Sequence, residues 1–224
     1  PHSPLNRNKL ERMLRGDLSR LRITMIYVNR RGLENNGKTC YTYDGMTASY
    51  DRDGNLLAEA RPYEDAHTLF SFSSESGRPE SVSPMVPCKE DMLLPALRYG
   101  VRKFLESIGQ DRVVIGISGG IDSAVNAALY RSILPPDKVL LVNTPTRSNS
   151  ELTRDLAEGL ARNLGCAYHI IPIGHFIDET AESLEALPLM DGDIHLTDFM
   201  KENMQARDRS SRILAALSAA FGGI

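Results

Sequence analysis

No stretch of the 224-residue chain stays apolar for anything near the roughly 20 residues that a bilayer-spanning helix requires. Cysteine is scarce. Cys40, Cys88 and Cys166 stand far apart with no metal-site spacing, which argues against a disulfide framework and a thiolate zinc site and suits a reducing compartment. A basic excess is missing too: 26 Lys and Arg face 29 Asp and Glu, and the net charge of -3 leaves no footprint for nucleic acid. The opening residues, "PHSPLNRNKLERML", are too polar for a secretory signal. No internal repeat is visible. With 42% hydrophobic and 25% charged residues, the expectation is a globular cytoplasmic chain with neither membrane nor nucleic acid as a partner.

What is present falls into two pieces. Residues 1–72 begin with "NRNKLERMLRGDLSRLR", where Leu10, Met13, Leu14, Leu18 and Leu21 recur at helical spacing. "ITMIYVN" (Ile23–Asn29) reads as a short buried strand, and "GLENNGKTC" as a loop of residues that tolerate left-handed turns. "YDGMTASYDRDGNLLAEA" reads as two strands around a turn, because Asp53-Gly54 is a hairpin dipeptide. A helix followed by this antiparallel meander predicts the edge of an α+β sandwich. Residues 73–90 are dense in Ser, Pro and Glu without a hydrophobic period and read as a linker.

From 91 to 224 strands and helices alternate, which predicts a parallel sheet covered on both faces. "MLLPALRYGVRKFLES" is helical, with Leu94, Leu97, Val101 and Phe104 on one side and Pro95 tolerable in the first turn. Strands follow at Val113–Ile117, Lys138–Asn143 and Ala167–Pro172. Helices are expected at Ser123–Ser132, at Glu151–Leu164 before the stop signal Gly165, at His175–Ala186, and over the longer span Asp198–Ala220.

The first of these strands runs straight into "SGGIDS", Ser118 to Ser123. A short glycine turn from a parallel strand into a helix makes an anion site. Backbone N–H groups point outward and the helix dipole adds about half a positive charge. Gly119 and Gly120 permit close approach of an oxyanion, and the hydroxyls of Ser118 and Ser123 can add hydrogen bonds. Asp122 would repel a phosphate unless Mg²⁺ lay between them. The string is neither a Walker loop nor a dinucleotide fingerprint, since the lysine and the third glycine are missing. A tight turn whose serines cap the helix is the plain alternative. One strand later, "VNTPTRSNSEL" is a polar βα loop with Ser150 placed to cap the next helix.

"SGGIDS" after an apolar strand resembles the SGGxDS loop of the ATP pyrophosphatases of the adenine-nucleotide α-hydrolase fold. The resemblance implies a Rossmann-like α/β domain that binds ATP at Ser118, Gly119, Gly120, Ile121, Asp122 and Ser123. It also implies Mg²⁺ on Asp122 and the adenosine half near Thr144, Ser148 and Asn149. "ENMQARDR" within "KENMQARDRSSRILAALS" is similar to a helix of the NAD synthetases that contacts deamido-NAD across a dimer interface, which maps the substrate onto Asn203 and Arg207. Taken alone, Arg207 and Arg209 read as the solvated face of an amphipathic helix. The first piece, with "YVN", a glycine-containing loop and "DGMT", is similar to the C-terminal part of a nitrilase-type glutaminase.

Together these imply the glutamine-dependent NAD synthetase family: partial nitrilase-like α+β sandwich at 1–72, linker at 73–90, and N-terminal part of the synthetase domain at 91–224. ATP, deamido-NAD and glutamine or ammonia are the implied partners, and a homo-oligomer the implied assembly. Another amidotransferase of the ATP-pyrophosphatase group, or a nucleotide-binding module without turnover, stays open. The Glu–Lys–Cys set of that glutaminase type precedes the matched region, so Cys40, beside Lys38, reads as a loop thiol. The chain itself reads as an internal fragment.

Overall fold

The computed structural model describes residues 16–65, 71–72, 79–81, 92–146, 150–189 and 192–224. Packing divides the chain into two compact units, Pro1–Ser107 and Ile108–Ile224. Among the described residues no helix is long and apolar enough to cross a membrane.

In the first unit, residues 16–21 form a helix, α1. It seats Leu18, 2% exposed, against Ala48 and Tyr50. Leu10, Met13 and Leu14 of the expected stripe lie outside the described residues. β1 (Met25–Tyr27), β4 (Ala48–Tyr50) and β5 (Leu56–Glu59) make an antiparallel sheet in the order β1-β4-β5. The expected turn at Asp53-Gly54 joins β4 to β5, with the N–H of Gly54 donating to the Asp51 carbonyl at 3.1 Å. The expected loop "GLENNGKTC" is instead most of a hairpin. β2 (Arg31–Asn35) pairs antiparallel with β3 (Cys40–Asp44), and Asn35 stands opposite Cys40. Its turn is held by asparagine side chains, since Asn35 Oδ1 accepts from Gly37 and Asn36 Oδ1 accepts from Lys38 and Thr39. Short strands β6 (Ser71–Phe72) and β7 (Pro79–Ser81) pair with each other.

Helix α2 (Leu93–Ser107) packs against that hairpin. Tyr99 stacks on Tyr63 with centroids 4.7 Å apart, and Gly100 sits so close to Thr42 that a Cβ would lie 2.7 Å from its methyl group. The buried residues are Ala96 and Leu105. Leu94 and Leu97 of the expected stripe remain 46% and 45% exposed, because this contact is made through small side chains and a ring.

The second unit is α/β. β8 (Val113–Gly116), β9 (Val139–Asn143) and β10 (Ala167–Ile170) form a parallel sheet in the order β10-β9-β8. All of β9 is buried, as a strand covered on both faces must be. Its crossovers are α3 (Ile121–Arg131) and α4 (Glu151–Leu164), which touch each other. Both move the same way across the sheet, so right-handed connections put them on one face. After β10 come α5 (Gly174–Glu185), a short hairpin of β11 (Pro188–Leu189) and β12 (Gly192–Asp193), and α6 (Asp198–Arg207).

The chain then returns to the free edge of β8. There Ile224 donates to the Arg112 carbonyl at 3.1 Å and accepts from the Val114 N–H at 2.7 Å, a parallel pattern. The reversed direction puts this return on the other face. The expected single helix over Asp198–Ala220 is continuous but not uniform. α6 widens into a π-helical segment, Asp208–Leu214, before α7 (Ala215–Phe221) resumes α geometry.

Candidate nucleotide site

The C-terminal tips of β8 and β9 lie side by side because the ladder continues past them. The Ile117 N–H donates to the Val142 carbonyl and the Ile171 N–H to the Asn143 carbonyl, both at 2.8 Å. Ligands of open α/β sheets gather at this edge. Ser118–Gly120 turns the chain out of β8, and α3 begins at Ile121 with Gly120 as an extended N-cap that has no side-chain capping bond.

Gly119 is at φ +84 and rests on the first turn of α4. A Cβ there would lie 2.1 Å from the Thr153 carbonyl oxygen. The turn therefore requires glycine twice over, for its dihedral and for the approach. Ser150 caps α4 as expected, its Oγ accepting from the Thr153 N–H at 3.3 Å.

The serine hydroxyls close the loop on itself. Ser123 Oγ donates to the Gly120 carbonyl at 2.9 Å and accepts from the Ser118 N–H at 3.3 Å. Ser118 Oγ lies 3.3 Å from Ser123 Oγ and accepts from the Gly120 N–H at 3.2 Å. Two of the amides expected to stand open are thus held by the loop's own side chains. The bonds that hold them are longer than usual and made by rotatable hydroxyls. Among the described residues no acceptor takes the N–H groups of Gly119, Ile121, Asp122 or Ser123. These amides and the uncapped end of α3 leave a place where negative charge is favoured.

Asp122 is exposed in the first turn of α3. Among the described residues no group of three or more His, Cys, Asp or Glu is arranged to hold a metal ion. A lone carboxylate is nonetheless compatible with Mg²⁺, which takes one or two carboxylates and completes its shell with phosphate and water. Thr144 follows the buried Asn143 at the tip of β9. Ser148 and Asn149 lie outside the described residues. Asn203 and Arg207 are exposed on α6, and Asn203 Nδ2 donates to the Phe199 carbonyl at 2.9 Å.

Arg209, expected with Arg207 on a solvated helix face, is instead half-buried, and its Nε donates to the Thr144 carbonyl at 3.4 Å. A hollow of about 380 Å³ elsewhere on β8 is lined by Val113, Ile115, Asn126, Tyr130, Leu214 and Ile224 among others, with no cation in its wall. It is no match for a phosphate.

A family model described as NAD synthase matches residues 93–222. A glutamine-dependent NAD(+) synthetase of Synechocystis sp. is 29% identical over 216 residues, which cover 95% of this chain and 37% of that protein. A second, from Thermotoga maritima, is 34% identical over 152 residues, covering 68% of this chain and 26% of the relative. Of solved structures, the glutamine-dependent NAD+ synthetase from Acinetobacter baumannii in complex with ADP superposes with a TM-score of 0.85. It is 23% identical and covers 100% of this chain and 41% of its own. Identity at that level speaks for the fold alone. The chain thus spans between a quarter and two fifths of these relatives' lengths.

Proposed function

The chain belongs to the NAD synthase family, and from that premise we propose that it carries the ATP-binding part of an enzyme that amidates deamido-NAD to NAD. Turnover is assigned to a longer polypeptide, in which a nitrilase-like glutaminase, continued here by residues 1–72, supplies ammonia from glutamine. The observation that carries the reading is the loop Ser118–Ser123: a strand tip, a glycine pressed on a neighbouring helix, and open amides at a helix start.

In this reading the polyphosphate of ATP lies on the amides of Gly119 and Ile121–Ser123, with the Ser118 and Ser123 hydroxyls rotating from their loop bonds to meet it. Asp122 would hold Mg²⁺, which supplies charge neutralisation at the phosphates. The adenosine half sits by Thr144, Ser148 and Asn149, and deamido-NAD meets Asn203 and Arg207, at an interface between copies. The nicotinate carboxylate oxygen attacks the α-phosphorus and pyrophosphate leaves, giving an acyl adenylate. Ammonia then attacks the acyl carbon, AMP departs with the C–O electron pair, and the nitrogen releases a proton. Fixed dipoles positioned before the reaction do most of this work, and no side chain of the loop forms a covalent bond.

The test offers deamido-NAD, xanthylate and aspartate in turn to the full-length polypeptide with Mg·ATP and ammonium, and follows AMP and pyrophosphate. Formation of both with deamido-NAD alone is expected. Activity with xanthylate or aspartate instead would move the chain to another amidotransferase, and ATP binding without AMP formation would make it a binding module.

A further inference from the structure

The Ser118–Ser123 loop carries no cation of its own. Residues 116–126 and 139–146, which make the tips of β8 and β9 and the start of α3, contain neither lysine nor arginine. Backbone amides and one helix dipole offer partial charges only, whereas a nucleoside triphosphate brings several full negative ones. The π-helical segment brings a guanidinium to this edge.

In an α-helix, residues five apart fall on different sides, but where the ladder runs five residues back they stack on one face. Here the N–H of Ala215 reaches the Ser210 carbonyl, five residues earlier. Arg209 and Leu214 are five apart and both meet the sheet. Leu214 covers β8 at Gly116, where a Cβ would lie 3.3 Å from its Cδ1, while Arg209 reaches Thr144 beyond the tip of β9.

The widened turn carries side-chain bonds of its own and one contact with α5. Ser211 Oγ donates to the Arg207 carbonyl at 2.6 Å, and Ser210 Oγ to those of Ala206 and Arg207 at 3.2 and 3.3 Å. Arg212 pairs with Asp208 through both its Nε and Nη2, and lies 4.0 Å from the ring of Phe176 on α5. Arg209 thus meets the Thr144 carbonyl through Nε in a long bond of 3.4 Å, and among the described residues its Nη groups have no partner.

We propose that Arg209 binds the polyphosphate of the nucleoside triphosphate, its Nη fork facing the anion at the tip of β9 with its Nε on the Thr144 carbonyl. This rests on the ATP reading of the loop. A planar fork pre-oriented by one bond suits bidentate contact with phosphate oxygens, which a lysine cannot reproduce.

The test titrates the 224-residue protein with Mg·ATP, inorganic pyrophosphate and adenosine, comparing wild type, Arg209→Met and Arg209→Lys, with circular dichroism to confirm folding. Arg209→Met should weaken ATP and pyrophosphate on the order of tenfold to a hundredfold and leave adenosine within about twofold. Arg209→Lys should fall between. Unchanged ATP and pyrophosphate affinity in Arg209→Met overturns the proposal and leaves the loop reading standing. An equal loss of adenosine also overturns it, because Arg209 would then only shape the tip of β9. If Arg209→Met does not fold, Arg209→Lys decides: wild-type affinity for pyrophosphate refutes the fork, and selective loss upholds it. A wild-type protein that binds neither ATP nor pyrophosphate removes both readings together.

Discussion

Replacing Gly119 by alanine tests the site at its tightest point. The added Cβ would stand 2.1 Å from the Thr153 carbonyl oxygen and 2.8 Å from its carbon, where ordinary contact begins at 3.4 Å. Both neighbours are backbone, one in a loop and one in the first turn of α4, so neither swings aside. Separating them by about 1 Å is an overpacking event, which costs about 1–3 kcal/mol. The left-handed dihedral at φ +84 adds about 1–2 kcal/mol for a residue with a Cβ.

Gly165, the C-cap of α4, is the control. It has φ +69 with nothing within 4 Å, so its alanine variant carries the dihedral penalty without the clash. Because the chain has no tryptophan, unfolding is best followed by far-ultraviolet circular dichroism. At roughly 2–4 °C per kcal/mol, Gly119→Ala should lower the melting temperature by about 5–15 °C. Gly165→Ala should lower it by less than half as much. Equal melting of the two variants would refute the close packing of the loop on α4. In the same samples Gly119→Ala should lose ATP binding and Gly165→Ala should keep it.

Asp122→Asn should cut pyrophosphate release by the full-length enzyme by on the order of a hundredfold, with a melting temperature within about 2 °C of wild type; ordinary turnover at ordinary Mg²⁺ would take Asp122 out of the mechanism. The 224-residue chain should release no ammonia from glutamine, and Cys40→Ser should change nothing, since that thiol is exposed beside the turn of the β2–β3 hairpin; glutaminase activity lost with Cys40 would contradict this. Burial, with the Asp44 carboxylate adding to it, pushes the Tyr63 phenol up to about 12 from 10.0. The folded state therefore holds that proton more tightly. Its stabilising contribution is complete below about pH 10 and disappears as pH rises toward 12, so denaturant midpoints should fall across that window in wild type and less in Tyr63→Phe.

The second unit was legible because buried parallel strands are written as continuous apolar runs. Val139–Val142 is such a run, and it and the Asn143 that ends the strand are all buried. Punctuation helped as well: Ser150 starts α4 with its hydroxyl, and Gly165 ends it in the left-handed conformation that the lack of a Cβ allows. The first unit was harder. β2 carries Arg31, Glu34 and Asn35 exposed, so no alternation marked it as a strand. Its Asn-Asn-Gly turn gave the whole region the composition of a loop. In α2 the apolar stripe at Leu94 and Leu97 was misleading, because the helix meets the hairpin at Gly100 and stacks Tyr99 on Tyr63 beyond β5. In the site, "SGGIDS" located the turn, but composition could not say that Ser118 and Ser123 would bond within the loop. Nor could it predict the approach of Gly119 to Thr153, which depends on how α4 lies beside α3.

Two arginines in one short string serve different sides. Positions two apart on a helix are separated by about half a turn, so Arg207 and Arg209 cannot face the same way. Arg207 ends α6 exposed, and Arg209 is half-buried against the tip of β9. In unbroken α geometry Leu214 would turn away from the face that carries Arg209, and contact with either Gly116 or Thr144 would be lost. What selects the wider turn is local chemistry: Ser210 and Ser211 take up carbonyls of Ala206 and Arg207, while Asp208 holds Arg212 one turn on. Serines that bond back to carbonyls in this way bend helices. In "QARDRSSR" the arginine nearer to "QAR" is thus left to whatever arrives from outside the unit. The arginine beyond the aspartate is committed to the sheet edge, and the serines after it keep it there.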